Sequence, residues 1–181
     1  MAVQEVKGNI RGLRDMLKIL GEDWGLILTD VTRGDVGNGE RMAFLFNMKR
    51  VQLSGLACEL VVPLEALKAV GEDNLAKQFA RTPYAVGFKS AGVTFVLTTL
   101  HVLYGNREAD RVPELKAIAR WMADWAQDMN EYEQNLIVLG DFNIERRGDL
   151  LHETFIAEGL YIPPAMKSDA VRRSIFDETK F

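Results

Sequence analysis

Asn135-Leu136-Ile137-Val138-Leu139-Gly140-Asp141-Phe142-Asn143 decides how the rest of the chain is read. Four consecutive aliphatic residues stopped by a glycine read as a buried strand. Ligands of layered α/β sheets gather beyond the carboxyl ends of such strands, and that is where Asp141 and Asn143 stand. If the strand continues, alternation puts both side chains on one side. A carboxylate there accepts a proton from water or holds the water in line, and an amide donates to a phosphoryl oxygen. The same residues also suit a plain turn, because Gly, Asp and Asn are turn formers.

The flanking pattern alternates between strand and helix. Upstream, Leu115, Ile118, Met122, Trp125 and Met129 recur at helical spacing behind Pro113, which suits a first turn. Before them, Tyr84 to Lys89 and Val93 to His101 read as paired strands, with Ser90-Ala91-Gly92 as the turn. Downstream, Leu150 to Glu158 reads as a helix stopped by Gly159. In the N-terminal half, Met1 to Val6 reads as a strand. Asn9 suits the cap of a helix whose stripe is Ile10, Leu13, Met16, Leu17 and Leu20, closed by Gly21. Trp24 to Thr29 and Met42 to Phe46 read as strands around a glycine-rich loop, Thr29 to Gly39. Arg50 to Val62 holds one or two more strands, and Leu64 to Val70 a short helix. The alternation predicts an α/β layered fold, and 181 residues fit a single domain spanning residues 1–181.

Composition excludes several classes. The net charge is −4, so the chain does not hold a polyanion by bulk electrostatics alone; acting on one requires local arginines or a divalent cation. No apolar run reaches the roughly 18–20 residues of a membrane span, and the sequence assigns no compartment. The single cysteine, Cys58, excludes an internal disulfide framework and a cysteine-based zinc cluster; its apolar surroundings predict a buried thiol.

Four further features bear on chemistry. His101 ends a strand and precedes a loop with Tyr104, Gly105 and Arg107, so it suits proton donation to a leaving oxygen or a phosphate contact, as well as a purely structural role. His152 lies in a helical stretch without companions and reads as a packing or surface residue. Glu5, in Ala2-Val3-Gln4-Glu5-Val6, suits a hard cation or a solvent-facing strand end. The segment Thr32 to Arg41 has glycines that admit a ligand, Glu40 to orient a histidine, and Arg33 and Arg41 to meet phosphate. It is not a P-loop, and it also suits a hairpin loop with a salt bridge at its base.

The order of these features carries more than any one of them. A Gln-Glu-Val strand, a glycine-rich loop with Glu-Arg entering an aromatic strand, a Thr-x-His strand end, a long helix and then Gly-Asp-Phe-Asn resemble the bacterial DNase I-like branch of the endonuclease/exonuclease/phosphatase superfamily. The resemblance runs through nearly the whole chain. It implies a four-layer α/β sandwich of two packed mixed sheets between helices, with the site at one rim. It implies a divalent-metal-dependent phosphodiester hydrolase that acts on DNA and needs no obligate protein partner. Magnesium is the expected metal, with manganese or calcium as alternatives. Glu5 matches the metal-binding glutamate, and Glu40 the glutamate that pairs with a catalytic histidine. Arg41 matches the following arginine, a phosphate contact, and His101 the histidine itself. Asp141 matches the carboxylate that orients water, and Asn143 the amide on the scissile phosphate.

The family pattern also has a metal-site asparagine strand before Gln-Glu-Val, and a Tyr-Asp-x-Ile strand with Ser-Asp-His near its end. This chain shows none of these, and Asp177 does not replace them. The resemblance therefore implies a chain incomplete at both ends, with most catalysis lost because such residues act as a unit. Lipid head groups or inositol phosphates as substrates, and a non-catalytic remnant or binding domain, are the competing expectations.

Overall fold

The computed structural model describes residues 1–32, 39–61, 79–128, 133 and 135–167. Arg33, the segment Leu64 to Val70, Met129 and Asp177 lie outside these residues. Among the described residues, seven strands and three α-helices follow in the order β1 (Ala2–Lys7), α1 (Arg11–Leu20), β2 (Trp24–Leu28), β3 (Glu40–Asn47), β4 (Gln52–Glu59), β5 (Tyr84–Ser90), β6 (Val93–His101), α2 (Val112–Gln127), β7 (Leu136–Asp141) and α3 (Leu150–Ile156). They form two sheets. The first has the order β1-β3-β2 and pairs antiparallel throughout. The second has the order β4-β5-β6-β7 and is mixed, because β7 runs parallel to β6 after the α2 crossover.

Alternation along the strands assembles the layers. Met42, Phe44 and Phe46 of β3 pack against Tyr84, Val86 and Phe88 of β5, with Phe95 and Leu97 of β6 beside them. Phe88 meets Phe44 and Phe46 edge-on at centroid distances of 5.7 and 5.4 Å, a preferred aromatic geometry. The opposite face of the second sheet gives Ala85, Val96 and Leu100 to Leu115, Ile118, Met122 and Trp125 of α2 and Leu151 of α3. On the outer side of the first sheet, α1 lies against β2. The order helix, sheet, sheet, helices is the expected four-layer sandwich. Among the described residues, no helix is long and apolar enough to cross a membrane.

Three local expectations change. Ser90 stays in the ladder opposite Val93, so the hairpin turn is Ala91-Gly92 alone, both at positive φ, as a two-residue turn requires. Helix α1 is capped at Ile10 rather than Asn9, but Asn9 still accepts the Arg11 N–H through Oδ1 at 3.0 Å. Cys58 is half-buried, because β4 pairs only with β5 among the described residues; its partial burial still pushes the thiol pKa up.

Gly140 is required by close approach as well as by conformation. Its φ is +141°, and a Cβ built there would lie 2.0 Å from the Leu100 carbonyl oxygen. Neither the backbone conformation nor the neighbouring backbone can yield cheaply. Gly140→Ala is expected to lower stability by about 3 kcal/mol, measured by urea denaturation; a loss under about 1 kcal/mol would contradict this packing.

Candidate active site

The register of the two sheets gathers the site. In β6, Phe95, Leu97, Thr99 and His101 share one face by alternation, and the first two lie in the core between the sheets. In β3, Glu40, Met42, Phe44 and Phe46 share the face that meets them. His101 and Glu40 are therefore placed at the rim of the inter-sheet core, 7% and 3% exposed. His101 Nδ1 lies 3.3 Å from Glu40 Oε2. The ring nitrogen is within ion-pair range but off the line of a hydrogen bond.

Glu40 has two stronger partners. Arg81 Nε donates to Oε2 at 2.5 Å, and Lys7 Nζ to Oε1 at 2.9 Å. Arg81 is itself only 11% exposed at its side chain, and its buried Nη1 has no hydrogen-bond partner among the described residues. Lys7 is placed by pairing directly opposite Glu40 in the β1–β3 ladder. A carboxylate this deep requires compensating charge, and these two cations supply it.

Asp141 is set beside His101 by the parallel ladder, in which the two are register partners. Adjacent partners project to the same face of a sheet, and Asp141 is exposed there. Asn143 is not on the strand. β7 ends at Asp141, and Asn143 turns into the left-handed region at φ 51°, which asparagine tolerates. The Asn143 backbone N–H donates to Asp141 Oδ1 at 3.0 Å, and its Nδ2 donates to the Val102 carbonyl at 2.7 Å. The turn and the site are thus the same object: the strand-alternation argument fails, yet the turn keeps both residues together.

Glu5 is exposed, at a β-bulge in β1. The pairs Val3↔Ala43 and Val6↔Arg41 leave Gln4 and Glu5 opposite Met42 alone, and Glu5 takes φ 57°. Bulges of this kind re-aim a side chain. Gln4 crosses to the second sheet, donating to Thr99 Oγ1 at 2.6 Å, which ties β1 to the strand carrying His101. Among the described residues, no group of three or more His, Cys, Asp or Glu is placed to hold a metal. Arg41 stands one residue from Glu40, so alternation turns it to the other face of β3, away from His101; its buried Nε has no partner among the described residues. Arg107, offered by the sequence for phosphate, pairs with Asp110 at 3.0 Å. His152 sits in the first turn of α3, where its ring accepts the Gly148 N–H at 3.2 Å, a packing role.

Comparison with known proteins bears on this geometry. No family model matches the chain. Over 155 residues it is 36% identical to a deoxyribonuclease of Thioalkalivibrio sp. (strain K90mix), covering 82% of this chain and 39% of that protein. It also superposes on an endonuclease/exonuclease/phosphatase family protein from Bacteroides thetaiotaomicron with a TM-score of 0.56 and 18% identity, over 83% of this chain and 52% of that one. The chain has the fold of the endonuclease/exonuclease/phosphatase proteins. The 2′,3′-cyclic phosphatase ANGEL2 shares the fold, with a TM-score of 0.58 and 20% identity over 87% of this chain and 42% of that protein. The chain spans about two fifths of the deoxyribonuclease and about half of the Bacteroides protein.

Three residues of the site escape a motif-based reading. Arg81 carries no local pattern. Arg111 and Glu114 had a signal: they precede Leu115 and Ile118 by one turn, so they continue the buried stripe of α2 with charges. Glu114 accepts the Leu103 N–H at 2.8 Å and the Ala80 N–H at 3.1 Å. Burial pushes its carboxyl pKa up, against the pull of those two donors and of the Arg81 charge.

Proposed function

We propose that this chain carries part of the active site of a divalent-metal-dependent phosphodiester hydrolase, a DNase I-like nuclease whose substrate is DNA. The chain is read as a single partial domain of that enzyme. The observation that carries the reading is the buried Glu40–His101 pair one register step from the exposed carboxylate of Asp141, at the carboxyl ends of parallel strands. Identity to a deoxyribonuclease supports DNA over other phosphodiesters.

Asp141 holds the attacking water and takes its proton as the water oxygen bonds to phosphorus. The bond from phosphorus to the leaving oxygen breaks, and that oxygen is protonated from solvent or from His101. The Glu40 carboxylate keeps the His101 ring in place, and Arg81 and Lys7 neutralise that carboxylate, so the field at the phosphate stays positive although the chain is acidic. Asn143 spends one amide N–H on the Val102 carbonyl and turns the other to a phosphoryl oxygen.

Glu5 fits a hard cation: it is an exposed carboxylate, and magnesium takes one or two such ligands and completes its shell with water and phosphate oxygens. The cation, when bound, neutralises phosphate charge.

The test is cleavage of supercoiled plasmid by these 181 residues carried within a chain extended to the length of the deoxyribonuclease relative. Conversion to nicked circles with magnesium, stopped by chelator, is the expected result. An untouched plasmid beside hydrolysed inositol or lipid phosphodiesters would overturn the substrate; no hydrolysis of any of them would overturn the reaction.

A further inference from the structure

Two buried charges at the N-terminal end of α2 have no place in the chemistry above. Arg111 is 4% exposed and Glu114 5%. Their polar contacts go to the loops that bear the site. Arg111 Nε donates to the Tyr104 carbonyl and Nη1 to the Asn143 carbonyl, both at 2.7 Å. Its guanidinium also stands 4.8 Å from the Tyr104 ring centroid and 3.6 Å from Glu145 Oε1. Glu114 takes one backbone N–H from Leu103, two residues past His101, and one from Ala80, next to Arg81.

Burying two ionised groups costs desolvation free energy that an apolar pair would not. The geometry shows what that cost secures. The planar guanidinium fork reaches two carbonyls on different loops, which an ammonium group cannot do with fixed angles. The carboxylate has two oxygens and offers one to each of two loops. Three segments that share no secondary structure are thereby pinned to one rigid helix end: the approach to Arg81, the exit from His101, and the turn of Asp141 and Asn143.

We infer that Arg111 and Glu114 are the positioning residues of the site, holding Arg81, His101 and Asn143 in register with one another. The inference rests on the proposed reading of His101 and Asn143 as groups that meet the substrate, and it is tested without requiring turnover. The chain has only two histidines, so His101 ring signals in its NMR spectrum are resolved against His152 as an internal reference.

Glu114→Gln keeps the shape but opposes an amide donor to one loop N–H. It is expected to shift the His101 signals, leave those of His152 in place, and cost the Ala80 or Leu103 amide about tenfold in hydrogen-exchange protection. Arg111→Lys is expected to shift His101 as well. Ile118→Val, which trims the same helix's core contact, is the control for general loosening and leaves His101 unmoved. In the extended protein, Glu114→Gln lowers kcat by roughly a hundredfold with KM unchanged, the signature of misplacement. Unchanged His101 signals in both charge variants, or the same shift in Ile118→Val, would overturn the inference. If the unsubstituted protein cleaves nothing, the proposed reaction fails, and the ring signals and exchange rates still decide whether the clamp exists.

Discussion

Asp141→Asn is expected to lower plasmid cleavage by about a thousandfold in the extended protein, which corresponds to roughly 4 kcal/mol at the transition state. The asparagine retains an oxygen at the Oδ1 position. It therefore still accepts the Asn143 N–H that closes the turn after β7, and His101 keeps its register partner. The negative charge that would take the water proton is lost. Asp141 is exposed, so the folded state gives up little, within about 0.5 kcal/mol by denaturation. Alanine would be a poorer probe, since it removes the turn acceptor along with the charge. Turnover within tenfold of the parent would remove Asp141 from the mechanism.

Glu40→Ala is expected to destabilise the 181-residue chain by about 3–5 kcal/mol. The carboxylate is 3% exposed and anchors Arg81, itself 11% exposed, together with Lys7. Removing it takes away the carboxylate that pairs with the Arg81 guanidinium at the rim of the inter-sheet core and accepts from its Nε. Arg81 already carries a buried N–H that has no partner among the described residues. A second change, Arg81→Met, removes the stranded cation, and the double variant is expected to recover part of the loss. Urea denaturation of the four proteins gives the coupling directly. Additivity of the two single changes would mean that Glu40 and Arg81 do not act as a pair, and that Glu40 is free to serve His101 alone.

Asp141 was legible because strand, glycine and carboxylate are contiguous, and the end of an aliphatic strand is a place where ligands gather. Its partner Asn143 was legible for a mistaken reason. Strand alternation does not reach it; a left-handed turn does, and the residues that read as turn formers are the ones that build the site. Glu40 and His101 are sixty-one positions apart in sequence, and only their motif order suggested that they meet.

The layers follow from local patterns. Period-2 and period-3.6 patterns are local, and each buries one face of one element, so the alternation of strands and helices, the aromatic face of β3 and the stripe of α2 were all readable before any pairing was known. Gly140 belongs here in part, since a glycine before a turn is a local signal, although the 2.0 Å approach to Leu100 is not. The tertiary structure alone decided which charges share the rim. Parity fixed the faces of Glu40 and His101, but the distance between the two sheets brought them to 3.3 Å. Arg81, Arg111 and Glu114 carry no motif, because a buried ion is stabilised by partners from elsewhere in the chain. Their longest hydrogen bonds span 41, 32 and 34 positions, and a local pattern holds no record of a partner that far away.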